Sequence, residues 1–86
     1  SVENLDFSKE VYSAYPNPTE GNFSIDLNEN KASVAITITN VMGQEVYQQR
    51  FKDTKKIDLS LEQPPGLYFV LLDFGLEQSV IKLVKD

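Results

Sequence analysis

The sequence predicts an all-β domain in which seven antiparallel strands form a β-sandwich. Three observations predict it: short runs alternate apolar and polar residues with a period of two, turn-forming residues separate those runs at intervals of about 8 to 12 residues, and no helical period occurs. Short strands at this spacing are typical of antiparallel sandwiches. The 86 residues have room for one domain, which we place at residues 9–86 behind a linker at residues 1–8.

The first two predicted strands flank a proline-rich turn. Residues 11–15 are strand formers, and Pro16-Asn17-Pro18 ends that strand, because proline lacks a backbone N–H and holds the preceding residue in an extended conformation. The residues that follow, 19–22, have turn chemistry. Residues 23–27 then alternate apolar and polar side chains, which predicts a half-buried strand.

The third and fourth strands are predicted to form a hairpin. A polar loop at residues 28–31 precedes the clearest alternation in the chain, residues 34–39. Asn40-Val41-Met42-Gly43 fits a tight turn, since asparagine favours the first turn position and glycine the last. Residues 45–51 resume the strand pattern on the other side of that turn.

Three further strands complete the predicted sandwich. A charged loop at residues 52–56 leads to an alternating strand at residues 57–61. Residues 67–72 are apolar at every position, which predicts a strand that is central or covered on both faces. The turn Asp73-Phe74-Gly75 returns the chain into the last strand, residues 79–85.

Tyr68 relates this sandwich to the immunoglobulin-like group. It follows the proline-rich corner at residues 62–66, at the start of the predicted central strand. A tyrosine at that place forms a tyrosine corner, in which the hydroxyl bonds to the backbone a few residues upstream. We therefore expect the Tyr68 hydroxyl to hold this corner.

The composition excludes most catalytic chemistry. The chain has no cysteine and no histidine, which removes thiol nucleophiles, zinc–thiolate sites, disulfides and the usual general base. Its serines therefore lack a base partner, and we predict that the protein is not an enzyme and needs no cofactor. A formal net charge of −5 and a pI near 4.6 argue against nucleic acid as a partner.

The sequence supports neither a calcium-binding loop nor a membrane helix. Residues 26–30 match the D-x-N-x-N start of a calcium loop, but Lys31 stands where that loop needs glycine and Thr37 where it needs glutamate. We therefore predict a solvated turn and no metal site. The longest uncharged stretch, residues 63–72, contains two prolines and is far shorter than the ~20 apolar residues of a membrane helix.

Four sequence blocks resemble a known family in their order and spacing. The blocks are Tyr15-Pro16-Asn17-Pro18-Thr19-Glu20-Gly21, Val34-Ala35-Ile36 with Asn40-Val41-Met42-Gly43-Gln44-Glu45-Val46, Ile57-Asp58-Leu59-Ser60 with Pro65-Gly66-Leu67-Tyr68-Phe69, and Ile81-Lys82-Leu83-Val84-Lys85. Over residues 11–86 the chain is thereby similar to the type A C-terminal sorting domains of the type IX, or Por, secretion system of Bacteroidetes. One departure is Asn40, where that family often has aspartate, but asparagine serves the same turn.

The resemblance implies an immunoglobulin-like sandwich that serves as an address tag. An upstream cargo enters the periplasm by a signal peptide, and the tag directs it through the outer-membrane translocon with the help of a shuttle protein, to the cell surface or exterior. A surface sortase usually removes the tag, here within residues 1–10 or upstream of them. The chain opens on Ser1 rather than methionine, as expected for a piece of a longer protein.

The resemblance also implies which residues matter for sorting. Most of them have a plain role in the fold as well, because prolines end strands and glycines serve turns. The terminal block differs, since a last strand at a sheet edge offers unpaired backbone groups to which a partner can add a strand. Exposed edge strands of this kind also allow two copies of the domain to pair as a dimer. The residues carried over are Pro16, Asn17, Pro18, Gly21, Gly43, Gly66, Tyr68, Lys82, Val84 and Lys85.

Two other functions remain open from the sequence. A sandwich of this kind can be an accessory module that binds polysaccharide, for which Tyr12, Tyr47 and Phe74 are the candidate aromatics. It can also be a spacer without any recognition role, because one fold serves many purposes.

Overall fold

A computed structural model describes residues 12–86, and these residues form an antiparallel β-sheet with no helix. The predicted all-β antiparallel class is confirmed, but the sheet has five strands, so the prediction of seven is wrong. The predicted linker at residues 1–8 lies outside the described residues. The strands are β1 (Ser13–Tyr15), β2 (Asn22–Asn40), β3 (Glu45–Ser60), β4 (Gly66–Asp73) and β5 (Gln78–Lys85).

The count differs because two predicted loops are bends within long strands. Residues 28–31 lie inside β2 and residues 52–56 lie inside β3. Each bend contains one residue in the left-handed region, Asn28 with φ 70° and Asp53 with φ 49°. The pairing register of β2 with β3 also shifts at the first bend, which is the mark of a β-bulge. Turn chemistry at these places therefore bends the strands without ending them.

The bends divide the sheet into two parts that share one core. In the first part the start of β2 lies between β1 and the end of β3 and pairs with both; in the second, the start of β3, the end of β2, β4 and β5 lie side by side in that order. β4 is therefore a central strand, as predicted. The buried side chains of both parts are Tyr12, Ala14, Phe23, Ile25, Leu27, Val34, Ile36, Ile38, Ile57, Leu59, Leu61, Tyr68, Val70, Leu72, Ile81 and Leu83.

Both predicted hairpins are present, and side-chain oxygens hold their turns. The Oδ1 atom of Asn40 accepts the N–H groups of Met42 and Gln44, at 2.9 and 3.0 Å, between β2 and β3. Between β4 and β5, the Gly75 N–H donates to Asp73 Oδ1 at 2.8 Å. Gly75 has φ 96°, a conformation that glycine adopts without steric cost.

The predicted tyrosine corner is also confirmed. The Tyr68 hydroxyl donates a hydrogen bond of 2.6 Å to the Pro64 carbonyl oxygen, and the Tyr68 side chain is buried. This bond ties the start of β4 to the corner that precedes it.

Replacing Tyr68 with phenylalanine tests that bond. We expect Tyr68→Phe to lower the free energy of unfolding by about 1–2 kcal/mol, because a partly buried carbonyl loses its donor. The control is Tyr47→Phe, whose hydroxyl donates to the exposed Gln49 side chain and whose loss should cost less than about 0.5 kcal/mol. Urea denaturation measures both, and equal losses would contradict a special role for the corner.

Candidate recognition surface

The opening motif, which is the first sequence block at residues 15–21, lies along the terminal strand β5, although the two are far apart in sequence. Thr19 forms a parallel bridge with Lys85: its N–H donates to the Val84 carbonyl and its carbonyl accepts the Asp86 N–H, each at 2.8 Å. The Asn17 side chain continues this pairing. Its Nδ2 donates to the Lys82 carbonyl at 2.7 Å, and its Oδ1 accepts the Val84 N–H at 3.0 Å.

The Asn17 side-chain amide therefore forms hydrogen bonds to the backbone of β5 like those of a neighbouring strand. A primary amide carries a donor and an acceptor side by side, as a backbone peptide does, so it can bond a carbonyl and an N–H on the same strand edge. Together, Asn17 and Thr19 bond the outer edge of β5 from Lys82 to Asp86. The expectation that this last strand offers unpaired backbone groups is wrong for that stretch.

Thr19 fixes the shape of the opening motif, and the sequence reasoning did not select it. Its side chain is fully buried. The hydroxyl donates to the Asn22 carbonyl at 2.7 Å and accepts the Gly21 N–H at 3.0 Å. Gly21 in turn accepts the Leu61 N–H at 2.8 Å, which fastens the turn to the end of β3. A threonine among turn residues was the available signal, because its hydroxyl can bond nearby backbone.

The two prolines of the motif are exposed beside this pairing. The peptide bonds that precede Pro16 and Pro18 are both cis. The two rings, with Glu20, Asn22 and Asp86, line an open cavity of about 550 Å³ next to the end of β5. The prolines thus present apolar ring surface to solvent where the opening motif meets the terminal strand.

The side chains of the terminal block point alternately to solvent and into the core. Lys82 and Val84 are exposed, whereas the alternate residues Ile81 and Leu83 are buried in the core. Across β4, Phe69 stands opposite Lys82, and Leu67, which is 37% exposed, stands opposite Val84. We call these four outward residues, Leu67, Phe69, Lys82 and Val84, the terminal face.

Lys85 has a different place from Lys82. It is half-buried, and its Nζ donates to the Gln63 carbonyl at 2.6 Å. Gln63 directly precedes Pro64, the acceptor of the Tyr68 hydroxyl, so two side chains hold consecutive carbonyls of one corner. This contact gives Lys85 a role in the fold.

The remaining predicted residues lie at turns and in the core. Gly66 begins β4 opposite Lys85, so the corner adjoins the terminal strand. Gly43 lies in the β2–β3 turn with φ 82°. Tyr68 is buried. The structure thus brings the opening and terminal motifs together and leaves Gly43 in a different hairpin.

The three aromatics considered for polysaccharide binding do not form an exposed platform. Tyr12 is buried and its ring lies 5.4 Å from that of Phe74. The Lys31 ammonium lies 5.1 Å from the Phe74 centroid, and the hydrogen bond that it donates to the Glu29 carboxylate raises the pKa of Lys31 above its ordinary value. Tyr47 is half-buried, and burial raises the pKa of its hydroxyl.

The calcium-like segment, residues 26–30, lies within β2 at its bend and does not form the predicted turn between strands. The Asp26 carboxylate accepts the Asn28 N–H at 2.8 Å, a local bond typical of an Asx-turn. Among residues 12–86, no group of three or more Asp and Glu side chains is placed to hold a metal ion. The same residues include no helix long and apolar enough to cross a membrane.

The fold and this surface define a small all-β domain whose opening segment is fastened to its terminal strand. Residues 13–86 match the family model described as a secretion system C-terminal sorting domain. The chain therefore belongs to the C-terminal sorting domains of the type IX secretion system. The comparison with curated proteins finds no relative of the chain.

Membership in this family indicates the general role of the chain. The family consists of sorting signals and is not an enzyme family. It places the chain in a type IX secretion context, behind a cargo, with export to the cell surface or exterior.

Proposed function

We propose that this domain is read by the type IX machinery as a folded surface in which the opening motif and the terminal strand form one unit. The observation that carries the proposal is the set of hydrogen bonds from Asn17 and Thr19 to β5. These bonds bring the first and last motifs of the family resemblance side by side, although Asn17 and Lys82 are 65 residues apart. A partner that binds there contacts both motifs at once.

The residues of this surface divide into those that hold it and those that contact the partner. Asn17 and Thr19 bond to the backbone of β5 and hold the surface together. Lys82 and Val84 present exposed side chains on the terminal face, so we assign them to the partner. Exposed apolar surface next to a charged group is the usual composition of a protein-binding patch.

We propose the rest of the pathway by analogy with the family. The cargo reaches the periplasm, the domain engages the outer-membrane shuttle and translocon, and a surface sortase removes it in a Bacteroidetes cell. The cleavage site then lies within residues 1–10 or upstream of them, ahead of the sheet. This order keeps the recognised surface intact until export is complete.

We also propose that the two parts of the sheet are the two layers of an immunoglobulin-like sandwich. Their side chains share one core, which supports facing layers. The bends in β2 and β3 let each long strand serve both layers. The Tyr68 corner, a feature of such sandwiches, supports the same assignment.

The test is export of a reporter fused upstream of the chain in a bacterium with a type IX system. The test variant is Lys82→Glu with Val84→Ser, both on the terminal face. The matched control is Lys55→Glu with Val41→Ser, which makes the same changes at exposed residues of β3 and the β2–β3 turn. We expect export to fall at least about tenfold for the test variant alone, a loss of about 1.4 kcal/mol or more in binding.

The design separates recognition from folding. Deleting residues 81–86 would remove Ile81 and Leu83 from the core, so failed export would then report unfolding. The exposed substitutions leave the core intact, and the thermal unfolding midpoints of test and control variants should agree. Equal export of the two variants would contradict the proposal that the terminal face is read.

A further inference from the structure

A second cavity lies on the outward face of the first part of the sheet. Its volume is about 540 Å³, and β1, β2 and β3 each contribute to it. The pairing register places Tyr15 opposite Ser24 and Ser24 opposite Asp58, with Asn22 opposite Ser60 in the next row. The outward side chains that line it are Tyr15, Pro16, Asn22, Ser24, Asp58 and Ser60.

The polar groups of this cavity are arranged for hydroxyl ligands. The Ser24 hydroxyl donates to Asp58 Oδ1 at 2.5 Å, which fixes the carboxylate and leaves its Oδ2 to accept from a ligand. Asn22 adds an amide with both a donor and an acceptor, and Ser60 adds a hydroxyl. Side chains that face each other across strands are about 5 Å apart, a distance that the hydroxyls of one sugar ring can bridge.

The cavity also has an aromatic wall. Tyr15 is 43% exposed, and it is the one aromatic among the exposed large side chains of residues 12–86. The Lys56 ammonium lies 5.9 Å from its ring centroid and so helps to fix the ring orientation. Pro16 adds an apolar ring beside it. Flat apolar rings next to hydrogen-bonding groups suit the C–H face and hydroxyl edge of a pyranose.

We propose that this cavity, which we call the Tyr15 cleft, binds a neutral saccharide. The Asp58 carboxylate and the net charge of −5 disfavour anionic sugars. The polar floor disfavours a purely apolar ligand, because its hydroxyl, amide and carboxylate groups would lose water without gaining partners. The cleft lies on the other part of the sheet from the terminal face and borders the opening motif through Tyr15 and Pro16, so we place sugar binding beside the sorting surface as an activity distinct from reading of the terminal face.

The test is a titration of the ¹⁵N-labelled 86-residue chain with cellobiose, maltose and N,N′-diacetylchitobiose, followed by NMR. We expect at least one disaccharide to bind with a dissociation constant of the order of 1 mM. The amide shifts should concentrate at Tyr15, Asn22, Ser24, Asp58 and Ser60. Absence of shifts at about 20 mM of every sugar, or shifts centred on β4 and β5, would overturn the proposal.

Two substitutions test whether the sugar binds in the Tyr15 cleft. Tyr15→Ala and Asp58→Asn should each weaken binding at least about fivefold, through loss of the aromatic wall and of the carboxylate acceptor respectively. The control for charge is Asp26→Asn, since Asp26 lies on β2 outside the lining and its amide variant can still accept the Asn28 N–H. Unchanged binding in both test variants, or equal weakening in the control, would overturn the assignment.

Discussion

Thr19→Val is expected to lower the free energy of unfolding by about 2–4 kcal/mol, a large share of the stability of a small domain. Valine has nearly the shape of threonine but no hydroxyl, so the Gly21 N–H and the Asn22 carbonyl would both lose a partner. The Thr19 side chain is fully buried, so water cannot replace the hydroxyl without rearrangement. Urea denaturation of the isolated chain measures the loss.

The control for this prediction is Thr37→Val. Thr37 is half-buried on β2, within a regular stretch of strand. The same chemical change there should alter the free energy of unfolding by less than about 0.5 kcal/mol. Equal losses at the two positions would show that the Thr19 hydroxyl does not hold the opening motif.

Asn17→Asp is expected to give the largest loss of export among single substitutions of the opening motif. Aspartate keeps an acceptor for the Val84 N–H but replaces the donor to the Lys82 carbonyl with a negatively charged oxygen. The carboxylate would then face a carbonyl oxygen, and the pairing of the motif with β5 should open. We expect the reporter exported to fall at least about tenfold, with about 1–3 kcal/mol lost from the free energy of unfolding.

The matched control is Asn30→Asp, the same chemical change at an exposed residue of β2. It should leave both export and stability close to those of the unsubstituted chain. Export is compared at a temperature where each variant is folded, so that a loss reflects the surface and not unfolding. If Asn17→Asp exports as well as Asn30→Asp does, the Asn17 contact has no part in sorting.

The sequence predicted the local features of the fold because each depends on a few neighbouring residues. Alternation in β2 correctly predicts that Phe23 and Ile25, then Ile36 and Ile38, face the core. The turn at Asn40 is local as well, since its side chain bonds backbone groups within four residues. Such features need no knowledge of the rest of the molecule.

The strand count could not be predicted in the same way. Turn-forming residues at Asn28 and Asp53 adopt the left-handed conformation that a turn would use. Whether the chain reverses there or continues after a bulge depends on which strands lie beside it, and those pairings are long-range. The local residues therefore correctly predict where β2 and β3 are irregular, but they wrongly predict loops that end these strands.

The arrangement of the candidate surface also depends on long-range contacts, so the sequence could not predict it. The family resemblance selected Asn17, Lys82 and Val84 as separate motif residues, and the structure places them in one hydrogen-bonded unit. It also separates Lys85, which bonds the Gln63 carbonyl, from Lys82, which has an exposed side chain. No spacing rule predicts that an asparagine side chain will pair with a strand that lies more than sixty residues away.

A closed edge on β5 changes how the domain can be recognised. Strand addition needs a row of unpaired backbone groups, and the opening motif bonds those from Lys82 to Asp86. Under the proposed function a partner reads exposed side chains beside that edge, which needs a folded domain and keeps the surface unchanged during binding. The alternative is that the partner first displaces Asn17 and Thr19.

Amide hydrogen exchange at Val84 tests most directly whether Asn17 and Thr19 close this edge of β5. In the unsubstituted chain the Val84 N–H donates to Asn17 Oδ1, so its exchange should be slowed at least about a hundredfold relative to an exposed amide. Asn17→Ala should abolish most of that protection while Leu83, in the core, keeps its own. Rapid exchange of Val84 in the unsubstituted chain, or protection unchanged by Asn17→Ala, would contradict this closure.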